Sequence, residues 1–95
     1  MLEGLLTRGA RAAYLLDAQA GQKLSVSIKA PAESAVFRIY APGTGNAPRG
    51  PALQGAGEAD DARAWNGTLA AGGRHVVEVV APGGSASYRL SITLR

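Results

Sequence analysis

The sequence predicts an all-β chain: a small antiparallel β-sandwich or jelly roll of about seven to eight short strands. Three observations carry that expectation. Apolar and polar residues alternate strictly in Lys23-Leu24-Ser25-Val26-Ser27-Ile28-Lys29 and again in Tyr88-Arg89-Leu90-Ser91-Ile92-Thr93-Leu94-Arg95, the signature of half-buried antiparallel strands. Turn chemistry recurs about every 8–12 residues. Thirteen glycines and five prolines in 95 residues interrupt any long helix.

The elements follow in order. Gly4-Leu5-Leu6-Thr7-Arg8 reads as a short edge strand. Ala12-Ala13-Tyr14-Leu15-Leu16-Asp17-Ala18 reads as a strand; its alanines make helix the competing reading, but Gly9 and Gly21 bracket it within a short span. In Lys23–Lys29, Leu24, Val26 and Ile28 share the inner face. Ala35-Val36-Phe37-Arg38-Ile39-Tyr40 is rich in residues that suit a pleated surface. Phe37 and Ile39 are expected to point inward, with Arg38 and Tyr40 on the opposite face. Residues 43 to 63 form a long irregular stretch in which only Ala52-Leu53-Gln54 has strand character. Loop variation and function are expected there.

Ala64-Trp65-Asn66-Gly67-Thr68-Leu69 reads as a strand with Trp65 and Leu69 inward, or as a hairpin cornered at Asn66-Gly67. In His75-Val76-Val77-Glu78-Val79-Val80, Val77 and Val79 face in. Val76 and Val80 share the outer face with Glu78 and are expected to be covered by a loop or partner, or exposed. Both middle runs end in Ala-Pro-Gly, at Ala41-Pro42-Gly43 and Ala81-Pro82-Gly83, which fits a type II turn. This echo reads as convergent turn chemistry rather than internal duplication. The closing strand turns Tyr88, Leu90, Ile92 and Leu94 inward. The expected core is therefore Leu24, Val26, Ile28, Phe37, Ile39, Trp65, Val77, Val79, Leu90 and Ile92 between two sheets.

Residues 1–95 make one domain, too small for an enclosed active site beside its core. With 46% hydrophobic and 18% charged residues the chain is globular rather than disordered. No apolar run approaches a membrane span. The absence of cysteine excludes disulfides, thiolate catalysis and cysteine-ligated zinc. The net charge of +3 comes from basic residues of which no two are adjacent; that dispersal argues against nucleic acid as a partner. Met1-Leu2-Glu3-Gly4 lacks a basic segment followed by about 7–15 apolar residues, so it is not a signal peptide. The chain is expected to be cytoplasmic, or to have lost a leader.

The order of the segments resembles a known family. YLLDAQAGQKLSVSI resembles the opening of bacterial pre-peptidase C-terminal (PPC-type) domains, with a tyrosine strand, an alanine-glycine-glutamine turn and an alternating strand. AVFRIYAPG, WNGTLAAGGRHVVEVV and SASYRLSITL are similar to the passages that follow in that family. The likeness spans roughly residues 3 to 95. It implies a sandwich module, exported and non-catalytic, periplasmic or secreted. It also implies kinship with the periplasmic inhibitors of goose-type lysozyme, small stand-alone relatives of that fold. One difference stands out. The connection Pro82-Gly83-Gly84-Ser85-Ala86 is short and carries no arginine, where that inhibitor group has a longer, arginine-rich loop before its last strand.

Chemistry is sparse. His75 is the only imidazole and sits beside Arg74 at a strand start; no serine lies in a nucleophile-elbow context. Catalysis is not expected. Glu58, Asp60 and Asp61 could ligate calcium, which some PPC-type relatives bind, but the spacing fits no EF-hand and three carboxylates are few. They read as a solvated loop, and no metal or cofactor is expected. A binding surface would use outward tyrosine and arginine, which singles out Arg38 with Tyr40, and Arg89 with Ser87. The expected function is a non-catalytic exported binding module, in its sharpest form an inhibitor that occludes the cleft of a goose-type lysozyme. The alternative is a structural, self-associating envelope module or a carbohydrate-binding accessory. The partners to expect are accordingly a protein, a polysaccharide or a second copy of the chain.

Overall fold

In the computed structural model, residues 2–6, 11–30, 35–43, 50–57, 60, 62–81 and 86–95 are described. Seven strands follow in sequence: β1 (Leu2–Leu6), β2 (Arg11–Ala18), β3 (Lys23–Lys29), β4 (Val36–Tyr40), β5 (Ala64–Thr68), β6 (Gly73–Val80) and β7 (Ala86–Leu94). They form a four-stranded sheet, β1-β7-β3-β5, and a three-stranded sheet, β2-β6-β4, with every pairing antiparallel. The predicted all-β sandwich is the fold observed, and among the described residues there is no helix.

Period-two spacing explains the faces. Leu24, Val26 and Ile28 of β3 are buried while Ser25 and Ser27 between them are exposed. Register carries the pattern across the sheet: Val26 lies between Trp65 and Ile92, and Ile28 lies beside Leu90. Phe37, Ile39, Val77 and Val79 face them from the other sheet, all fully buried. Ile92, Leu94 and Trp65 are only partly buried and pack against this core from its rim. Leu69 continues inward beyond β5 and is buried, as its spacing predicts.

The β2–β3 turn passes the chain from one sheet to the other. Gly21 takes φ +91 there, a conformation that disfavours side chains. Its N–H donates to the Leu69 carbonyl at 2.8 Å, and the Gln19 N–H donates to Gln22 Oε1 at 2.7 Å. Asn66-Gly67 is strand, not a hairpin corner. The Trp65 ring lies over Gly67, whose hypothetical Cβ would stand 2.6 Å from the indole. The indole N–H donates to the Gln54 carbonyl at 2.9 Å.

β4 corrects one expectation about faces. Arg38 and Tyr40 do share the side opposite Phe37 and Ile39, but Tyr40 is buried, at 7% exposure, as is Val36. Tyr40 is flanked by Val76 on one side and bridged to Ala52 on the other. The irregular stretch runs along the outer edge of β4 by main-chain bonds: Phe37 N–H to Ala62, Ile39 N–H to Ala56, and Leu53 N–H to Ile39. An edge strand covered in this way is buried on both faces, which alternation alone does not foresee. Val76 and Val80, opposite Tyr40 and Val36, are buried as well.

Candidate functional site

The register sorts the candidate binding residues onto two different surfaces. Arg38 and Tyr40 belong to the outer face of β2-β6-β4, and Ser87 and Arg89 to the outer face of β1-β7-β3-β5. Sheets in such a sandwich stand about 10 Å apart, so these four residues do not converge on one ligand.

On the three-stranded face, Glu78 lies opposite Arg38. One carboxylate oxygen, Oε1, faces Arg38 Nη1 at 3.5 Å and Arg11 Nη1 at 3.8 Å. Glu78 is nearly buried, and a carboxylate is kept in such a place when cations compensate its desolvation. Arg38 is therefore a partner of Glu78 within the sheet. Apolar rows flank this ion cluster: Leu15, Val76 and Tyr40 on one side, Val80 and Val36 on the other.

On the four-stranded face, Ser87 and Arg89 are both exposed. Arg89 lies between Glu3 and Lys29, its register neighbours on β1 and β3. Ser27 and Ser91 form the next row, and Ser25 and Thr93 the row after. Lys29, Arg89, Ser27 and Ser91 line a shallow cleft of about 180 Å³. Gly4, Ser87, Tyr88 and Arg89 line a neighbouring one of about 200 Å³. The result is a hydroxyl-floored surface on which Lys29 and Arg89 stand side by side, with the acidic Glu3 next in the same row. The alternating sequence placed Lys29 and Ser27 on an outer face. Only the β3–β7 register, a long-range property, shows that they adjoin Arg89.

The remaining sequence candidates have other surroundings. His75 is 1% exposed on the inner face, and its Nδ1 stands 3.2 Å from the Gly73 carbonyl, which accepts from it. It lines neither cleft. Asp60 accepts from the Gly57 N–H at 2.7 Å; Glu58 and Asp61 lie outside the described residues, as does the connection 82–85. Among the described residues no three metal-ligating side chains cluster. Sequence reading missed one interior pair: the hydroxyls of Tyr14 and Tyr88 meet at 2.6 Å between the sheets. Burial, the Tyr14 hydrogen bond and charge repulsion from Tyr14 together push the Tyr88 phenol up to about 12.

Solved structures share this arrangement over almost the whole chain. Aeromonas hydrophila PliG, a periplasmic lysozyme inhibitor of g-type lysozyme, matches with a TM-score of 0.78 and 27% identity, covering 99% of this chain and 83% of that one. A mutant of Escherichia coli PliG, from a periplasmic g-type lysozyme inhibitor, matches with a TM-score of 0.71 and 18% identity, over 99% and 85%. Salmonella Typhimurium PliG, another such inhibitor, gives 0.69 and 20%, over 99% and 85%. At those lower identities the last two establish the fold alone. No family model and no curated protein matches the chain.

With that comparison in place, the inner and outer residues separate by role. The reactive types sit in structural settings: His75 is buried against main chain, and Glu78 is engaged by two arginines. What the outer four-stranded face offers is strand, hydroxyls and the charged row Glu3–Arg89–Lys29.

Proposed function

We propose that this chain is a non-catalytic binding module that inhibits a goose-type lysozyme by occluding its substrate cleft, and that it acts in the periplasm or after secretion. The observation that carries this reading is its likeness to Aeromonas hydrophila PliG across 99% of the chain. The broader likeness to PPC-type modules, drawn from the order of its motifs, belongs to the same proposal.

The surface best suited to the task is the four-stranded face around Arg89, Lys29 and Ser87. Glycoside-cleaving enzymes carry carboxylates in their clefts, and paired cations on a rigid sheet complement them at little ordering cost. Arg38 and Tyr40 contribute less to this reading: one is tied to Glu78 and the other is buried. A sugar ligand has weaker support, because Tyr14, Tyr88 and Trp65 are all turned into the sandwich and none is left on that face to stack on a ring.

Titration of goose-type lysozyme with this chain, followed by cell-wall lysis, tests the proposal. Retention of the enzyme with loss of lysis is expected. Arg89→Ala combined with Lys29→Ala should weaken retention about tenfold or more while leaving thermal unfolding unchanged. No retained lysozyme at micromolar protein eliminates the reading.

A further inference from the structure

β2 is an edge strand that, among the described residues, lacks the usual protections of an edge. It runs eight residues and pairs with β6 in continuous register along its whole length, so it carries no bulge. Among the described residues no strand pairs with its other flank. Its middle, Ala12-Ala13-Tyr14-Leu15-Leu16, contains no charge, proline or glycine. Sheet edges exposed to water are usually blunted by such residues or covered by another segment. β4, the opposite edge of the same sheet, is covered together with Ala41 by main-chain bonds to Pro51, Leu53, Ala56 and Ala62. On β2, Leu15 stands 63% exposed.

The ends of β2 carry opposite charges on the same face: Arg11 at the start and Asp17 near the finish. A two-fold axis through Tyr14 sets an antiparallel copy in a unique register. Arg11 then lies opposite Asp17 of the second copy, and Ala13 opposite Leu15, each pair occurring twice by symmetry. Sliding the copy by two residues either way loses both charge pairs and puts Ala13 against Asp17 or Arg11 against Leu15. Within one chain, Asp17 stands 3.5 Å from the exposed Arg74, and Arg11 stands 3.8 Å from the nearly buried Glu78; the side chains of Asp17 and Arg11 are themselves 81% and 62% exposed. The exposed Asp17–Arg74 pair holds its side chains weakly, and Arg11 keeps most of its side chain in solvent beside Glu78, so both charges reach the flank where a second copy would lie.

We propose that two copies of this chain associate edge to edge through β2, joining their three-stranded sheets into one continuous sheet in the Arg11–Asp17 register. The main-chain ladder supplies the attraction, and the charged ends select the register. The cationic face of each copy points away from this junction, so the proposal does not rest on the lysozyme reading. A single strand pair is a small interface, and the association is therefore concentration-dependent.

Sedimentation velocity from micromolar to millimolar protein tests it. The wild-type chain is expected to shift from monomer to dimer over that range. Leu15→Lys, at an exposed position, is expected to stay monomeric throughout with unchanged thermal unfolding. Asp17→Arg alone should weaken the dimer about tenfold, and the Arg11→Asp/Asp17→Arg double variant should restore it. A wild-type chain that remains monomeric at the highest concentration overturns the proposal, and so does a dimer that survives Leu15→Lys. A folded double variant that fails to recover the dimer overturns the register.

Discussion

The Tyr14–Tyr88 hydroxyl pair ties the two sheets together through polar groups, and it depends on a residue without a side chain. Gly4 lies opposite Tyr88 in the β1–β7 register, and a Cβ there would stand 2.5 Å from the phenolic oxygen. Tyr88 cannot yield without giving up Tyr14. Gly4→Ala should therefore destabilise the chain by about 1–3 kcal/mol, against about 1 kcal/mol for Tyr14→Phe, measured by urea unfolding. The same pair predicts a pH dependence. The unfolded phenol loses its proton near 10.0 and the folded Tyr88 near about 12. The folded state thus favours the neutral phenol; that contribution is complete below pH 10 and is lost as pH rises toward 12. The fall in stability over this window should be shallower for Tyr88→Phe than for wild type. Glu78 gives a third residue-scale test. Glu78→Gln leaves Arg11 and Arg38 facing each other without the carboxylate between them, and should cost about 3 kcal/mol.

Among the elements, β3 and β7 were the most legible in the sequence, because half-buried strands write their faces as strict alternation. Leu24, Val26, Ile28 and Leu90 are buried as that spacing requires. β4 was less legible. Phe37 and Ile39 are in the core, but Val36 and Tyr40 are buried too, and Ala52, Leu53, Ala56 and Ala62 lie along the strand's outer edge. Nothing within VFRIY announces that cover; it comes from a segment about a dozen residues or more away. With this cover in place, the Ile39 and Leu53 amides, bonded to Ala56 and Ile39 respectively, should exchange with solvent as slowly as those of β6. Ala56, fully buried, should accept no larger side chain, and Ala56→Leu should lower the unfolding midpoint and speed exchange at both amides.

For the whole molecule, local pattern set the class of fold and register set the surface. Arg89 and Ser87 were recognisable as outward residues from alternation alone. Lys29, opposite Arg89, and Ser27, opposite Ser91, lie some sixty residues earlier in the chain, and only strand order brings them beside β7. The separation of Arg38 and Tyr40 from Arg89 follows from the same strand order, which assigns β4 and β7 to different sheets. The central claim is that this rigid cationic sandwich, so like Aeromonas hydrophila PliG in fold, blocks a goose-type lysozyme without chemistry of its own. The direct measurement is the rate of cell-wall lysis by that enzyme as this chain is added. The rate should fall toward zero as the chain reaches a few molar equivalents; a rate unchanged at large micromolar excess contradicts the account.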